Sequence, residues 1–238
     1  SSWIEKNSAF LQDQMMDVGE NAAPLWWDAD GDGDLDFLVG NSGIRGVRGV
    51  RASLTYYENV GTAQQASLLL KSSDFGNFSV GIQGTDIIPQ VVDWDGNGKK
   101  ELLISYQTFV GAKLALYTAD NKWQEIPLSV LQVGETPLFV DWNQDGTLDL
   151  LVLEKSGRIR SYQYKTDKSL LLDNPNWANL VQDLNFIPKS LSILDVDGDG
   201  KMECIAFDRM GKAQLINYSL DGKSATRSTA FTWTADFG

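Results

Sequence analysis

The sequence predicts an all-β fold built from β-propeller blades, each of them a sheet of four short antiparallel strands. Four Asp/Gly-rich segments recur along the 238 residues at intervals of about 50. A short apolar run precedes each segment, and a second run rich in branched residues follows it. Runs of three to five such residues between turn formers are typical of strands. Four short strands in a unit of this length are typical of a propeller blade.

Each predicted blade takes its strands from the same relative positions. The first strand lies just before the acidic segment, at Pro24–Trp27, Pro89–Val92, Pro137–Val140 and Leu191–Leu194. The second strand follows the segment, at Phe37–Val39, Leu102–Ile104, Leu150–Leu153 and Cys204–Phe207. The third strand ends in an aromatic residue, and a more polar outer strand completes the sheet. The predicted blades cover residues 22–76, 87–128, 135–184 and 188–238 of a single propeller region, 1–238.

The two ends of the sequence both match the outer-strand pattern. Residues 9–18 align with the strand that precedes an acidic segment, and residues 229–238 align with the strand that follows one. Residues 1–21 are therefore predicted to hold the outer strand of a preceding or closing blade. Since a closed ring of four blades needs only one of these strands, we expect the chain to be continuous with further blades of a larger propeller.

The acidic segments share one pattern of nine residues, and we call them the first to fourth loops. They are Asp28–Asp36, Asp93–Glu101, Asp141–Asp149 and Asp195–Glu203. Each loop has an oxygen-bearing side chain at positions 1, 3, 5 and 9 and a glycine at position 6. Together they hold nearly half of the 32 acidic residues.

This spacing suits a hard divalent cation. Ca²⁺ binds six to eight oxygens at roughly 2.3–2.6 Å, and a tight loop can turn positions 1, 3 and 5 inward. The glycine allows the sharp bend, position 7 offers its backbone carbonyl, and position 9 returns a carboxylate. We therefore expect up to four Ca²⁺ ions, one per loop. The predicted side-chain ligands are Asp28, Asp30, Asp32, Asp36, Asp93, Asp95, Asn97, Glu101, Asp141, Asn143, Asp145, Asp149, Asp195, Asp197, Asp199 and Glu203, and the predicted carbonyl ligands belong to Asp34, Lys99, Thr147 and Lys201.

Two other interpretations of the loops are an EF-hand and a plain hairpin turn. An EF-hand needs a carboxylate at position 12, where these loops have Val39, Ile104, Val152 and Ala206, so it is rejected. Asp/Gly-rich stretches also form plain hairpin turns. Four segments with the complete pattern in register favour the metal interpretation.

The loops, with the strands on either side, resemble FG-GAP/VCBS repeats, the calcium-binding blades of integrin-alpha-like propellers and of bacterial secreted proteins. Tyr56-Tyr-Glu-Asn-Val-Gly-Thr62 is similar to the Tyr-x-Asn-x-Gly-Thr signature of bacterial members. The resemblance covers about residues 20–238 and implies the metal ligands named above. It leaves the ligand open, because the family includes adhesins, sugar binders, polysaccharide lyases and scaffolds.

Composition excludes several classes of function. The formal net charge is −12 with a pI near 4.4, which argues against binding to nucleic acid or to anionic membrane surfaces. The absence of histidine removes the commonest general base and zinc ligand, and the single cysteine, Cys204, cannot form an internal disulfide. No apolar run is long enough for a membrane helix. No charged-then-apolar leader stands at the amino end, so we expect any secretion signal to have been removed or to lie outside this sequence.

Two further features are candidates for ligand binding. Arg45, Arg48 and Arg51 form a basic cluster that could bind a carboxylate-bearing sugar or partner, or simply lie on a long exposed hairpin. Trp94 and Trp142 lie beside loops, as do Trp26 and Trp27, and could stack on sugar rings or pack between blades.

From these observations we expect a non-enzymatic binding or adhesion module, secreted or on the cell surface, that presents loops to a protein or glycan. Millimolar calcium outside cells suits such loops. The alternatives are a carbohydrate-active propeller similar to a polysaccharide lyase and a structural spacer of a larger surface protein.

Overall fold

The computed structural model describes residues 20–46, 49–165 and 169–228, and there the chain forms four antiparallel four-stranded sheets. The first sheet contains β1 (Ala23–Trp27), β2 (Asp36–Gly40), β5 (Leu54–Asn59) and β6 (Leu68–Ser72), with a separate hairpin of β3 (Ile44–Gly46) and β4 (Gly49–Arg51). The second contains β7 (Thr85–Val92), β8 (Glu101–Thr108), β9 (Gly111–Tyr117) and β10 (Trp123–Ile126).

The third sheet contains β11 (Thr136–Val140), β12 (Asp149–Leu153), β13 (Ile159–Tyr164) and β14 (Leu170–Asn174). The fourth contains β15 (Ser190–Leu194), β16 (Glu203–Phe207), β17 (Ala213–Tyr218) and β18 (Ala225–Arg227). In every sheet the strands pair in chain order, which is the meander of a propeller blade. The predicted all-β fold of four-stranded blades is confirmed. Residues 1–19 and 229–238, predicted to contain outer strands, lie outside the described residues.

The register of the first two strands closes each loop at its base. Trp27 pairs with Asp36 in the first sheet, Val140 with Asp149 in the third and Leu194 with Glu203 in the fourth. The ninth loop residue is therefore the first residue of the second strand. Because that strand lies inside the sheet, a carboxylate at this position is placed at the edge of the core.

The chain divides into two compact units, of which the first holds the first sheet and most of the second. Its core joins Leu38 and Leu54 of the first sheet to Leu102 and Ile104 of the second. The second unit holds the third and fourth sheets, and its core joins Leu151 and Ile159 to Cys204 and Ile216. Two neighbouring blades thus share one core in each unit, as expected for repeats that bury apolar surface against their neighbours.

A short helical connection, which the strand pattern of the sequence does not predict, leads from one sheet to the next in both units. In the first unit a 3₁₀ turn (Phe75–Asn77) precedes α1 (Phe78–Gly81), and in the second a 3₁₀ turn (Trp177–Asn179) precedes α2 (Leu180–Asp183). The aromatic residue that opens each turn packs on a tyrosine, Phe75 on Tyr117 at 5.0 Å and Trp177 on Tyr218 at 4.9 Å between ring centroids. No helix within the described ranges is long and apolar enough to cross a membrane.

Candidate metal centres in the four loops

The first carboxylate of every loop is held by the backbone of the same loop. Both oxygens of Asp28 accept N–H groups, from Gly31 at 2.8 Å and Gly33 at 3.2 Å. Asp93, Asp141 and Asp195 likewise accept the N–H of the glycine at position 6, each at 2.9 Å, and one further loop N–H. The bends depend on glycine, since Gly33, Gly98, Gly146 and Gly200 have φ between 83° and 95°.

Position 5 is organised in the same way in all four loops. Its side-chain Oδ1 accepts the backbone N–H of position 7. The N–H of Asp34 donates to Asp32 at 3.0 Å, that of Lys99 to Asn97 at 2.7 Å, that of Thr147 to Asp145 at 2.8 Å and that of Lys201 to Asp199 at 2.8 Å. Hydrogen bonds from the loop backbone therefore fix the side chains at positions 1 and 5 in all four loops.

Acidic side chains converge in the first, second and fourth loops. Asp28, Asp30 and Asp32 each offer an oxygen, and these atoms lie within 4.8 Å of one another. Asp195, Asp197 and Asp199 form an equivalent group in the fourth loop, and Asp93, Asp95 and Glu101 form one in the second. Oxygens bound to one cation at roughly 2.4 Å can be no more than about 4.8 Å apart. The spacing therefore fits a single shared Ca²⁺.

Burial and mutual repulsion leave charge uncompensated in the first loop. Desolvation raises the pKa of Asp30, and the charges of Asp32 and Asp36 add to the effect. Desolvation also raises the pKa of Asp34, again with contributions from its acidic neighbours. Oδ1 of the buried Asp34 has no hydrogen-bond partner. Both shifts follow from disfavouring the ionised form, which a bound cation would reverse.

The carboxylate at position 9 differs between loops. In the first loop Asp36 accepts the N–H of Ala29 at 3.0 Å, the hydroxyl of Tyr56 at 3.0 Å and the N–H of Asn59 at 2.7 Å. In the fourth loop Glu203 accepts the N–H of Val196 at 3.0 Å. Glu101 of the second loop is the first residue of β8. Asp36 is thus already satisfied by protein donors.

Asp149 of the third loop is buried and uncompensated. Its side chain is 1% exposed, and neither carboxylate oxygen has a hydrogen-bond partner. Burial, followed by the charges of Asp145, Asp141 and Asp173, raises its pKa to about 7. The register explains the difference from Asp36: the position of Tyr56, opposite Leu38, is taken by Ser161, opposite Leu151, and Ser161 donates to Asp173 instead.

The donor set therefore fits a hard divalent cation. A buried carboxylate without a hydrogen-bond donor lowers the free energy of unfolding unless a positive charge lies near it. The oxygens in these loops are the ligands that Ca²⁺ prefers. A hydrogen bond joins the third loop to the fourth, because Nε2 of Gln144 donates to the backbone oxygen of Gly200 at 2.7 Å.

The two tryptophans proposed as sugar platforms are buried, Trp94 at 8% and Trp142 at 3% exposure. Trp94 packs on Phe139, and Trp142 packs on Trp177, both edge to face. These contacts favour core packing over sugar stacking. Trp27 is partly buried against the first unit's core, whereas Trp26 is 44% exposed.

The basic cluster is placed only in part. Arg45 lies on β3 and Arg51 on β4, which pair as a hairpin, and their backbone alone is described. Arg48 lies outside the described residues. The ligand-binding role of the basic cluster stays a prediction.

A family model described as an FG-GAP-like repeat matches residues 141–206, a span that contains the third and fourth loops. This match and the four meander sheets together support an FG-GAP-type propeller.

No curated protein matches the chain. Among solved structures, this chain is similar to one titled as the structural basis of recognition of non-reducing terminal N-acetylglucosamine by an Agrocybe aegerita lectin. The identity is 16% and the TM-score 0.47, over 87% of this chain and 52% of that one. The chain thus spans about half the length of that solved protein.

Proposed function

We propose that this chain is a calcium-stabilised binding module that works outside the cell or on its surface and has no catalytic role. Three further points of the proposal are that one Ca²⁺ occupies each loop, that the ion is structural, and that turns of the blades contact a protein or glycan. The FG-GAP-type fold fits a binding module.

The observation that carries the calcium proposal is Asp149. A carboxylate with no hydrogen-bond donor, buried beside Asp141 and Asp145, costs folding free energy unless a cation lies near it. Ca²⁺ would supply that positive charge and would also bind oxygens from the rest of the loop. The extracellular part of the proposal is supported by the millimolar calcium outside cells, which would fill such loops even at modest affinity.

Thermal unfolding in CaCl₂ and in EDTA tests the proposal, with MgCl₂ as the matched control. A cation that binds only the folded state stabilises it by about 2.7 kcal/mol when its free concentration is 100-fold above Kd. For a chain of this size each kcal/mol raises Tm by roughly 2–4 °C. We expect a rise of several degrees in calcium and a smaller one in magnesium, which prefers six ligands in a rigid octahedron. Identical melting curves in CaCl₂ and EDTA would refute the metal function.

Binding specificity is tested separately on the calcium-loaded chain. A glycan array together with an assay for uronate-lyase products separates the binding module from the enzymatic alternative. Retention on the array without product supports the proposal, and product formation contradicts it.

A further inference from the structure

The second unit has a basic surface at the end of its sheets that lies opposite the acidic loops. The loops join the first and second strands of each sheet, so the turns that follow the second strands lie at the other end. These turns are residues 154–158 in the third sheet and 208–212 in the fourth. Residues 187–189, which lead into β15, lie at the same end. We call these three segments the turn face.

The three segments of the turn face are in contact with one another. Nζ of Lys189 donates to the backbone oxygen of Lys155 at 3.0 Å. The backbone N–H of Lys189 donates to the oxygen of Phe207, just before the fourth-sheet turn, at 2.7 Å. A Cβ on Gly157 would come within 2.7 Å of the side chain of Ile187. The turn face is therefore one continuous surface.

The charge of the turn face is opposite in sign to that of the chain, which carries −12. Its basic residues are Lys155, Arg158, Lys189, Arg209 and Lys212, and its acidic residues are Glu154 and Asp208. Both acidic groups are engaged, since Glu154 pairs with Arg158 at 2.7 Å and Asp208 accepts two backbone N–H groups of its own turn at 2.8 and 2.9 Å. A surplus of positive charge remains.

The lysines at the two ends of the second unit differ in their partners. At the loop end, Lys201 lies 3.3 Å from Asp199 and Lys223 lies 3.3 Å from Asp221. On the turn face, Lys155, Arg209 and Lys212 form no ion pair with any carboxylate of the described residues. Their charges are therefore available to an external anion.

Two exposed apolar side chains lie among these cations. Met210 is 88% exposed in the turn that also holds Arg209 and Lys212, and Ile187 is 52% exposed. The turn face contains no aromatic residue, so it offers no ring on which a sugar or a nucleic-acid base could stack. Methionine and arginine are enriched at protein interfaces, where the flexible thioether adapts to its partner. This chemistry favours a peptide that carries both carboxylates and apolar side chains.

We propose that the turn face binds an acidic peptide segment of a partner protein. Carboxylates of the peptide pair with Lys155, Arg209 and Lys212, and its apolar side chains cover Met210 and Ile187. The inference rests on the binding function proposed above, for which it names the surface and the class of partner. It does not depend on calcium, because the turn face lies at the end opposite the acidic loops.

Fluorescence anisotropy with the whole calcium-loaded chain tests the inference, and a labelled random copolymer of glutamate and tyrosine is the probe. Poly-L-glutamate, trigalacturonate and oligo-thymidylate are the comparison ligands. We expect the copolymer to bind tightest, because it alone offers apolar groups together with carboxylates. Raising NaCl from about 0.05 M to about 0.5 M should weaken its binding at least tenfold, since salt screens exposed charges.

Charge reversal locates the binding surface. Lys155→Glu combined with Arg209→Glu should weaken copolymer binding at least about tenfold, because like charges then face each other. The matched control is Lys122→Glu combined with Lys223→Glu, which changes the net charge equally on exposed lysines at the loop ends of their own sheets. Its affinity should stay within about twofold of wild type. Equal losses in both pairs would overturn the inference, because binding would then follow net charge alone.

An apolar substitution tests the second half of the surface. Met210→Ser should weaken binding of the copolymer about threefold and leave binding of poly-L-glutamate unchanged. Leu220→Ser, at a residue 60% exposed in a loop-end turn, is the matched control and should have no effect. If the charge-reversal pair at the turn face lowers Tm, Met210→Ser alone decides the outcome.

The results also separate this inference from the binding function on which it rests. Tighter binding of trigalacturonate or oligo-thymidylate than of the copolymer overturns the peptide assignment. Retention on the glycan array without any binding of the copolymer overturns the inference and leaves the binding function intact. Absence of binding in both assays overturns the two together.

Discussion

The hydroxyl of Tyr56 donates a hydrogen bond of 3.0 Å to Oδ2 of Asp36, across 20 residues of sequence. Burial and this bond to an anion both raise the pKa of Tyr56, so the phenol stays a donor. The equivalent residue in the third sheet is Ser161, which is too short to serve Asp149 and donates to Asp173. Two loops with the same sequence pattern therefore differ in how their ninth residue is compensated.

The first prediction concerns charge removal at these two positions without metal. Asp149→Asn removes an uncompensated buried charge, so we expect its Tm in EDTA at pH 8 to exceed that of wild type. Asp36→Asn is the matched control: it places an NH₂ group among three donors, and bonds to a charged acceptor contribute about 1.5–3 kcal/mol each. Its Tm should fall. A drop of similar size in both variants would show that Asp149 has donors after all.

The second prediction is a pH dependence of the metal-free protein. The pKa of Asp149 is about 7 in the folded chain and near 3.8 when unfolded, so between these values the folded state binds the extra proton. The contribution of this group to stability therefore increases as the pH falls from 8 towards 5. Denaturant unfolding in EDTA should show this as a difference between wild type and Asp149→Asn that shrinks over the same range. A difference that is constant with pH would contradict it.

The third prediction ranks the loops by calcium affinity, which increases with the number of charged ligands. The first and fourth loops have four carboxylates at positions 1, 3, 5 and 9, whereas the second and third have three and one asparagine. Lys201, 3.3 Å from Asp199, weakens the fourth, and Lys99 and Lys100 flank the second. We expect the first loop to bind tightest, the fourth next and the second weakest.

Calorimetric titration of decalcified chains tests the ranking, with the first aspartate of each loop replaced by alanine in turn. Asp28→Ala should remove the tightest site and Asp93→Ala the weakest. Loss of the tightest site in Asp93→Ala would mean that loop rigidity outweighs charge.

The fourth prediction concerns the helical connection of the first unit. Gly76 has φ of 63°, and a Cβ there would come within 2.7 Å of Tyr117 and 2.8 Å of Trp123. We expect Gly76→Ala to lower the free energy of unfolding by about 1–3 kcal/mol. The matched control is Ala178→Gly at the equivalent place, where φ is already 55° and glycine removes backbone strain, so little change is expected. Chemical denaturation measures both, and equal losses would contradict the steric explanation.

Much of the fold could be predicted from the sequence, because its signals are local. The ligands of each loop are spaced by two residues and followed by a glycine, and the flanking strands are short apolar runs. Hydrophobic periodicity does not predict the helical connections, since four-residue helices carry no periodic signal. The phrase Asp74-Phe-Gly-Asn-Phe78 and its counterpart Asn176-Trp-Ala-Asn-Leu180 could have revealed them as a second repeat.

The sequence by itself determined the meander sheets and the four acidic loops, because both depend on residues a few positions apart. Only the tertiary structure decided which carboxylates are compensated and which tryptophans are buried. Asp36 and Asp149 occupy the same loop position, yet Asp36 accepts hydrogen bonds from Tyr56 and Asn59, 20 and 23 residues further on, whereas Asp149 has no donor. Hydrogen bonding and desolvation depend on what lies opposite in the sheet, and sheet register brings together residues that the chain keeps apart.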